Sequence, residues 1–206
     1  MVSPAAMTMV VPRRRSVALN LANLLTYGRV AAVPVVAGLL FWPQEPTARF
    51  AALAVFIAAA ITDYLDGYVA RTYAQSSALG RMLDPIADKL LVAACLLMLA
   101  ADGSIPGTSL WAAIVILCRE ILVSGLREYL AELKVGVPVS RVAKWKTAAQ
   151  LVSLGFLIAG PAGERILPGT VTIGLTLLWI SAALTLYTGW DYLRAGLRHM
   201  MEDDAR

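Results

Sequence analysis

The stretch DYLDGYVARTYAQSSALGRMLDPIAD, residues 63–88, places four carboxylates between the uncharged runs 50–61 and 90–101. They form two pairs, Asp63/Asp66 and Asp84/Asp88. Spacings of three and four residues put both members of a pair on one face of a helix. Acids gathered at two facing helix ends repel one another, and near lipid each costs roughly 2.5–3.5 kcal/mol unless it is compensated. The stretch therefore predicts a positive partner, for which a divalent metal ion is suited.

The surrounding composition is that of a membrane protein. The chain has 206 residues, of which 59% are hydrophobic and 16% are charged. Six apolar segments approach the roughly 20 residues that a membrane-spanning helix needs. They are 21–42, 48–70, 85–101, 110–130, 142–159 and 170–192. We predict an all-α polytopic membrane protein with six transmembrane helices, in which a leader (1–19) and a tail (199–206) flank one membrane domain (20–198).

The basic residues predict its orientation. Only Arg49 and Arg165 fall in the loops after the first and fifth segments. The opposite side carries Arg13–Arg15, Arg71, Arg81, Lys134, Arg141, Lys144, Lys146, Arg194 and Arg198. By the positive-inside rule, both termini and residues 63–88 are cytoplasmic. The net charge of +4 then reflects topology and anionic lipid, and it gives no reason to expect a nucleic-acid partner.

The first segment carries a polar stripe, and its residues are Asn20, Asn23, Thr26 and Arg29. A step of three keeps such residues on one side of a helix. Because Asn and Arg are costly against lipid, the stripe is expected to face the interior of the bundle. The alternative is an amphipathic segment lying on the membrane surface. Residues 30–42 alone are too short to span a membrane, which favours the interior position.

Three further features have two readings each. Asp84-Pro85 fits either an N-cap followed by the first helical residue or, if the helix starts earlier, a kink beside the acids. Arg119-Glu120 lies near the middle of the fourth segment and is either a structural pair or part of a site. The basic residues between 127 and 146 are mostly topological charge, but Lys144 and Lys146 start the fifth segment and are placed to point into the bundle.

Carboxylates without a nearby His or Cys form a hard-oxygen site suited to Mg²⁺ or Mn²⁺. His199, the single histidine, lies in the tail, so a histidine metal site or a Ser-His-Asp triad is excluded. Cys95 and Cys118 both lie in apolar segments and predict no disulfide. Metal held by few carboxylates commonly shares its coordination with substrate phosphates, as phosphoryl transfer requires. A site at the inner membrane surface suits a substrate with lipid tails and a phosphate-rich head.

The pattern Asp63-x2-Asp66-Gly67-x2-Ala70-Arg71-x8-Gly80-x3-Asp84-x3-Asp88 resembles the signature of the CDP-alcohol phosphotransferases at all eight positions. Three other stretches are similar to the family members that make phosphatidylglycerophosphate. They are NLLTYGR (23–29), CREILVSGLRE (118–128) and KWKT (144–147). With them, the resemblance covers most of the chain.

The resemblance implies transfer of a phosphatidyl group from CDP-diacylglycerol to sn-glycerol 3-phosphate, with release of CMP. It implies that Asp63, Asp66, Asp84 and Asp88 hold two Mg²⁺ or Mn²⁺ ions and that Asp88 is also the general base. The implied CDP-diacylglycerol residues are Asn23, Thr26, Arg29, Gly67, Ala70, Arg71 and Gly80. Arg119, Lys144 and Lys146 are the candidates for the glycerol 3-phosphate phosphate. A homodimer in the bacterial cytoplasmic membrane is also implied.

Other functions fit part of the pattern. A transporter would carry intramembrane acids, but the matching broken helices of two half-chains are not visible. Membrane prenyltransferases use two Asp-rich motifs, but they resemble larger chains with Asn-containing motifs. A family member with another acceptor (serine, inositol phosphate or phosphatidylglycerol) would share the same acids, and only the basic residues on the acceptor side would differ.

Overall fold

The computed structural model describes residues 21–73, 78–132 and 141–203. Within these ranges, the side chains of 21–23, 64–73, 78–81, 84, 132, 141, 191 and 195–203 are outside the description. The regular elements of the described residues are six helices. They are α1 (Leu21–Leu40), α2 (Pro46–Tyr73), α3 (Ala78–Ala101), α4 (Ser109–Glu132), α5 (Arg141–Glu164) and α6 (Thr170–Asp203). Each overlaps one of the six predicted apolar segments.

Two boundaries differ from the predicted ones. The third helix begins at Ala78, so Pro85 lies inside α3 and not at its first position, which removes the N-cap alternative for Asp84. The Pro85 carbonyl accepts a hydrogen bond of 2.8 Å from Lys89 Nζ. The sixth helix continues to Asp203, past the predicted start of the tail at residue 199.

The helices form two groups of three. α1 packs against α2 and α3, while α6 packs against α4 and α5, and the contact between α2 and α5 joins the groups. The core where the groups meet is apolar, and fully buried members include Val36, Cys95, Ile116 and Leu157. α3 also contacts α4 and α5, and the polar pocket described below lies between these three helices.

Large apolar side chains cover the outside of the bundle. Trp42, Trp111, Trp145 and Trp190 are each more than 60% exposed. Among the described residues, three segments have the length and composition to cross a membrane: Pro46–Asp63, Ser109–Ala131 and Thr170–Arg194. Contiguous apolar surface of this extent is unfavourable in water. The chain is therefore a membrane protein.

A buried arginine links the start of α2 to the segments that follow α1 and α3. Arg49, in the first turn of α2, is 2% exposed and forms an ion pair with Asp102 after α3. Its guanidinium also donates to Ser104 Oγ (3.0 Å) and, from Nε, to the carbonyl of Pro43 (2.8 Å). The sequence had assigned Arg49 only to the sparse charge of an outer loop.

The same arginine fills a break in α5. Pro161 has no N–H, so it cannot donate to the carbonyl four residues earlier, that of Leu157. Arg49 Nη1 donates instead to the carbonyls of Leu157 (3.2 Å) and Ile158 (3.1 Å). The chain bends there at Gly160, whose φ of 47° is in the left-handed region.

Candidate active site

Two residues of the predicted polar stripe in α1 point into the bundle. Thr26 is 1% and Arg29 is 2% exposed, which confirms the interior orientation for these two residues. Arg29 Nη1 lies 2.7 Å from Asp63 Oδ1 on α2, and the Asp63 side chain is 50% exposed. A buried arginine therefore holds one oxygen of a carboxylate that is otherwise accessible.

Asp88 on α3 faces the same region. It lies within range of the charges of Asp63, Arg29 and Glu120. Asp63 and Asp88, one acid from each predicted pair, are therefore close enough for their charges to interact. α2 is continuous through Asp66, and α3 is continuous through Asp84. Asp66 therefore lies about one turn after Asp63, and Asp84 lies about one turn before Asp88.

A small polar pocket lies beside Asp88, between α3, α4 and α5. Its volume is about 30 Å³, and its polar lining consists of Asp88, Lys89, Glu120, Lys146, Thr147 and Gln150. Lys146 is 5% exposed and its Nζ forms an ion pair with Glu120 Oε1. The pocket thus combines a carboxylate on α3 with a paired acid and base from α4 and α5.

Arg119 is held mainly by α6. Its Nη2 donates to Thr188 Oγ1 at 2.9 Å, and its guanidinium carbon lies 6.0 Å from the centre of the Tyr192 ring. The distance from Nη1 to Glu120 Oε1 is 3.6 Å, longer than a good hydrogen bond. Arg119 Nε is buried and has no hydrogen-bond partner in the described part of the chain. The Arg119-Glu120 pair is thus weak, since each residue has a better partner elsewhere.

Gly189 makes the approach of Arg119 possible. A Cβ added at Gly189 would lie 3.0 Å from Arg119 Cγ and 3.3 Å from its Nε. Distances this short require the neighbouring side chain to move. The absence of a side chain at this position of α6 therefore sets where Arg119 lies.

Only one of the two lysines predicted to point into the bundle does so. Lys146 is buried, whereas Lys144 is exposed, so the expectation is wrong for Lys144. Two positions along a helix correspond to about 200° of rotation, so both cannot face the same interior. Lys144 is not among the residues that line the polar pocket.

Several predicted site residues have side chains outside the described part of the chain. They are Asn23, Asp66, Gly67, Ala70, Arg71, Gly80 and Asp84. The described residues alone contain no group of three or more metal-ligating side chains. The donors that are described, Asp63 and Asp88, supply carboxylate oxygens, and the half-exposed Asp63 is accessible to an ion. That donor chemistry fits Mg²⁺ or Mn²⁺.

The motifs did not single out several buried polar residues. Gln150 on α5 is 4% exposed, and Ser181, Thr185 and Thr188 on α6 are at most 1% exposed. The α6 residues are spaced four and three apart, which is the signal that places them on one face. Gln150 follows Lys146 by four positions and shares its face for the same reason.

Comparison with known proteins gives a match to the CDP-alcohol phosphatidyltransferase family over residues 19–187. The chain is 46% identical over 176 residues to a CDP-diacylglycerol–glycerol-3-phosphate 3-phosphatidyltransferase of Rickettsia bellii, covering 85% of this chain and 94% of the relative. A relative of the same name from Pseudomonas fluorescens is 41% identical over 191 residues, covering 90% of this chain and 94% of its own. A CMP-forming cardiolipin synthase of Oryza sativa is 40% identical over 192 residues, which are 85% of this chain and 57% of that protein. The chain belongs to the CDP-alcohol phosphatidyltransferase family.

Proposed function

We propose that this protein transfers the phosphatidyl group of CDP-diacylglycerol to sn-glycerol 3-phosphate, giving phosphatidylglycerophosphate and CMP. The observation that carries this proposal is similarity along nearly the whole length of relatives named for that reaction. The site agrees with it chemically, since it combines carboxylates that suit a metal-bound pyrophosphate with the Arg119 guanidinium, which suits an anionic acceptor.

The acids carry the reaction in this proposal. Asp63, Asp66, Asp84 and Asp88 would hold two Mg²⁺ or Mn²⁺ ions, which when bound would neutralise charge on the pyrophosphate and the departing CMP. Asp88 is the general base that takes the proton from the attacking hydroxyl of the acceptor, and its position in the lining of the polar pocket supports this role. The ion pair from buried Arg29 orients Asp63.

The two substrates occupy different sides of the acids. Thr26 and Arg29 from α1, with Asn23, Gly67, Ala70, Arg71 and Gly80, surround the CDP moiety. On the other side, Arg119 attracts the phosphate of glycerol 3-phosphate. Arg119 is better placed to bind it, because Lys146 is already paired with Glu120 while Arg119 Nε has no partner in the described part of the chain.

The whole chain crosses the bacterial inner membrane six times in this proposal, with both termini and the site on the cytoplasmic side. Water-soluble CDP and glycerol 3-phosphate groups then reach the acids from the cytoplasm, while lipid tails remain in the bilayer. The basic residues on the inner side support this orientation. A homodimer completes the proposal, by resemblance to the family.

A second acceptor deserves a test because of one specific similarity. The relative from Oryza sativa is named a cardiolipin synthase, although this chain spans only 57% of it. In that case phosphatidylglycerol would replace glycerol 3-phosphate as the acceptor, and the acidic residues would be unchanged.

An acceptor panel decides between these functions. Purified protein with CDP-diacylglycerol and Mg²⁺ or Mn²⁺ receives glycerol 3-phosphate, phosphatidylglycerol, serine or inositol phosphate, and CMP release is measured. We expect release with glycerol 3-phosphate and its loss on chelation of the metal. Turnover with another acceptor instead of glycerol 3-phosphate would refute the acceptor assignment, and metal-independent turnover would refute the cofactor assignment.

A further inference from the structure

Gln150 is a buried polar residue for which the proposed chemistry has so far given no role. It is 4% exposed on α5, and its Oε1 has no hydrogen-bond partner among the residues that the structure describes. Leaving a buried carbonyl oxygen unpaired is unfavourable, so such an atom calls for a partner. Gln150 lines the polar pocket together with Asp88, Glu120 and Lys146.

The charges of this pocket favour a neutral group beside Gln150. The Lys146 ammonium is paired with Glu120, and the Lys89 ammonium donates to the Pro85 carbonyl at 2.8 Å. With both cations engaged and Asp88 adding a negative charge, the described lining of the pocket has no spare positive charge for a phosphate. A carboxamide is itself neutral and both donates and accepts hydrogen bonds, which matches a hydroxyl.

The size of the pocket also favours a hydroxyl group as the ligand. A volume of about 30 Å³ accommodates a group the size of roughly one or two water molecules. A hydroxyl on a short carbon chain fits this space. Arg119, with its unpaired Nε, lies outside this lining and remains available for the phosphate end of the acceptor.

From these observations we infer that Gln150 binds the non-reacting secondary hydroxyl of the acceptor alcohol and so selects glycerol 3-phosphate over acceptors without that hydroxyl. The inference rests on the proposed function, because it concerns the acceptor of that reaction. With this hydroxyl on Gln150, the primary hydroxyl is directed toward Asp88 and the phosphate toward Arg119. Gln150 is then a specificity residue that contacts substrate without taking part in proton transfer.

The experiment compares two acceptors, sn-glycerol 3-phosphate and 3-hydroxypropyl phosphate, which keeps the primary hydroxyl and the phosphate but lacks the secondary hydroxyl. We expect the wild-type kcat/KM for glycerol 3-phosphate to exceed that for 3-hydroxypropyl phosphate by a factor of about ten or more. This factor corresponds to one buried hydrogen bond. In Gln150→Met, an unbranched apolar replacement, kcat/KM for glycerol 3-phosphate falls by about tenfold while that for 3-hydroxypropyl phosphate is kept, so the ratio approaches one.

Thr185→Val is the matched control. Thr185 is fully buried on α6 and its Oγ1 also has no hydrogen-bond partner within the described ranges, but it does not line the pocket. This variant removes a buried polar atom elsewhere in the bundle and should leave the acceptor ratio at the wild-type value. A ratio that changes equally in Thr185→Val would overturn the role of Gln150.

The remaining outcomes separate the inference from the proposed function. Equal use of both acceptors by the wild-type protein overturns the inference without any variant, and so does a Gln150→Met variant that loses both activities in proportion. In both cases CMP release with glycerol 3-phosphate leaves the proposed function intact. Absence of that release from the wild-type protein, with release on another acceptor, overturns the proposed function and the inference together.

Discussion

Asp88 is the residue on which the proposed chemistry depends most. It lies in the polar pocket, within range of the charges of Asp63 and Glu120. An amide at this position keeps the shape of the side chain but cannot accept a proton. We therefore expect Asp88→Asn to lower the rate of CMP release by a factor of about 10²–10⁴, the usual contribution of a general base.

Binding of CDP-diacylglycerol distinguishes this role from a purely structural one. The Asp88→Asn variant should still bind the lipid nucleotide, measured by its effect on thermal unfolding, while turnover is lost. Glu128→Gln provides a control, since Glu128 is an exposed carboxylate on α4 outside the pocket lining. Retention of full activity by Asp88→Asn would contradict the base role.

Arg119 tests the acceptor side of the site. Removing a cation that binds a phosphate costs on the order of 1.5–3 kcal/mol, so Arg119→Ala should raise KM for glycerol 3-phosphate by roughly 10–100-fold. Thr188→Val removes the acceptor of the 2.9 Å hydrogen bond from Arg119 without changing side-chain shape, and it should raise the same KM by a smaller factor. Steady-state kinetics with saturating CDP-diacylglycerol measures both values. An Arg119→Ala variant that is unstable but has wild-type KM would show that the arginine serves only packing.

At the scale of the helices, the break in α5 depends on glycine. Gly160 has a φ of +47°, and a Cβ there would lie 2.3 Å from Arg49 Nη1. Gly160→Ala should therefore displace a guanidinium that holds a buried ion pair with Asp102, a loss of up to about 3–5 kcal/mol.

Gly107→Ala separates the two causes of this effect. Gly107 has a similar φ of +53° but no atom within 4 Å of an added Cβ, so the variant bears only the backbone cost of about 1–2 kcal/mol. Unfolding of both variants in detergent gives the comparison. Equal destabilisation would mean that the contact with Arg49 contributes nothing.

The start of α6 depends on a carboxylate from the end of α5. Glu164 accepts hydrogen bonds from the backbone N–H groups of Gly169 (2.7 Å) and Val171 (2.9 Å). These bonds favour the ionised form and lower the pKa of Glu164 below its ordinary value of 4.5. A lowered folded-state pKa gives stability that is present above the unfolded pKa and is lost as the pH falls through the folded one.

This linkage predicts a pH-dependent variant. At pH 7 Glu164→Gln should unfold at a lower temperature than the wild-type protein, and the difference should shrink as the pH falls below about 4.5. Melting temperatures of both proteins in detergent, measured from pH 7 to pH 3.5, provide the test. A difference that is constant over this range would exclude a role for the ionised carboxylate.

At the scale of the whole molecule, the proposed membrane orientation predicts which positions a thiol reagent reaches from outside the cell. In a Cys95→Ser, Cys118→Ser background, a cysteine is introduced by Thr108→Cys or by Lys144→Cys, and both original side chains are exposed. We expect an impermeant thiol reagent to label the first in intact cells and the second only after the inner membrane is permeabilised. The opposite labelling would place the site on the outer face.

Much of the helical structure of this protein could be predicted from the sequence. The length of an apolar run determines whether a helix can span a membrane, and the helical period determines which residues share a face. The helices and the interior position of Thr26 and Arg29 therefore followed from the sequence. The prediction was wrong for Lys144. Lys144 and Lys146 lie on different faces of the start of α5, and only the packing of the helices shows which face is buried.

The tertiary structure alone decided which residues distant in the chain meet. Arg49 contacts carbonyls more than 100 positions away, Lys146 rather than Arg119 is the main partner of Glu120, and Gln150 enters the pocket of Asp88. No local pattern encodes these contacts, since each depends on how the two groups of three helices pack against each other. The sequence by itself therefore determined the helices and the candidate acids, whereas the packing of α3, α4 and α5 decided which residues line the pocket beside Asp88.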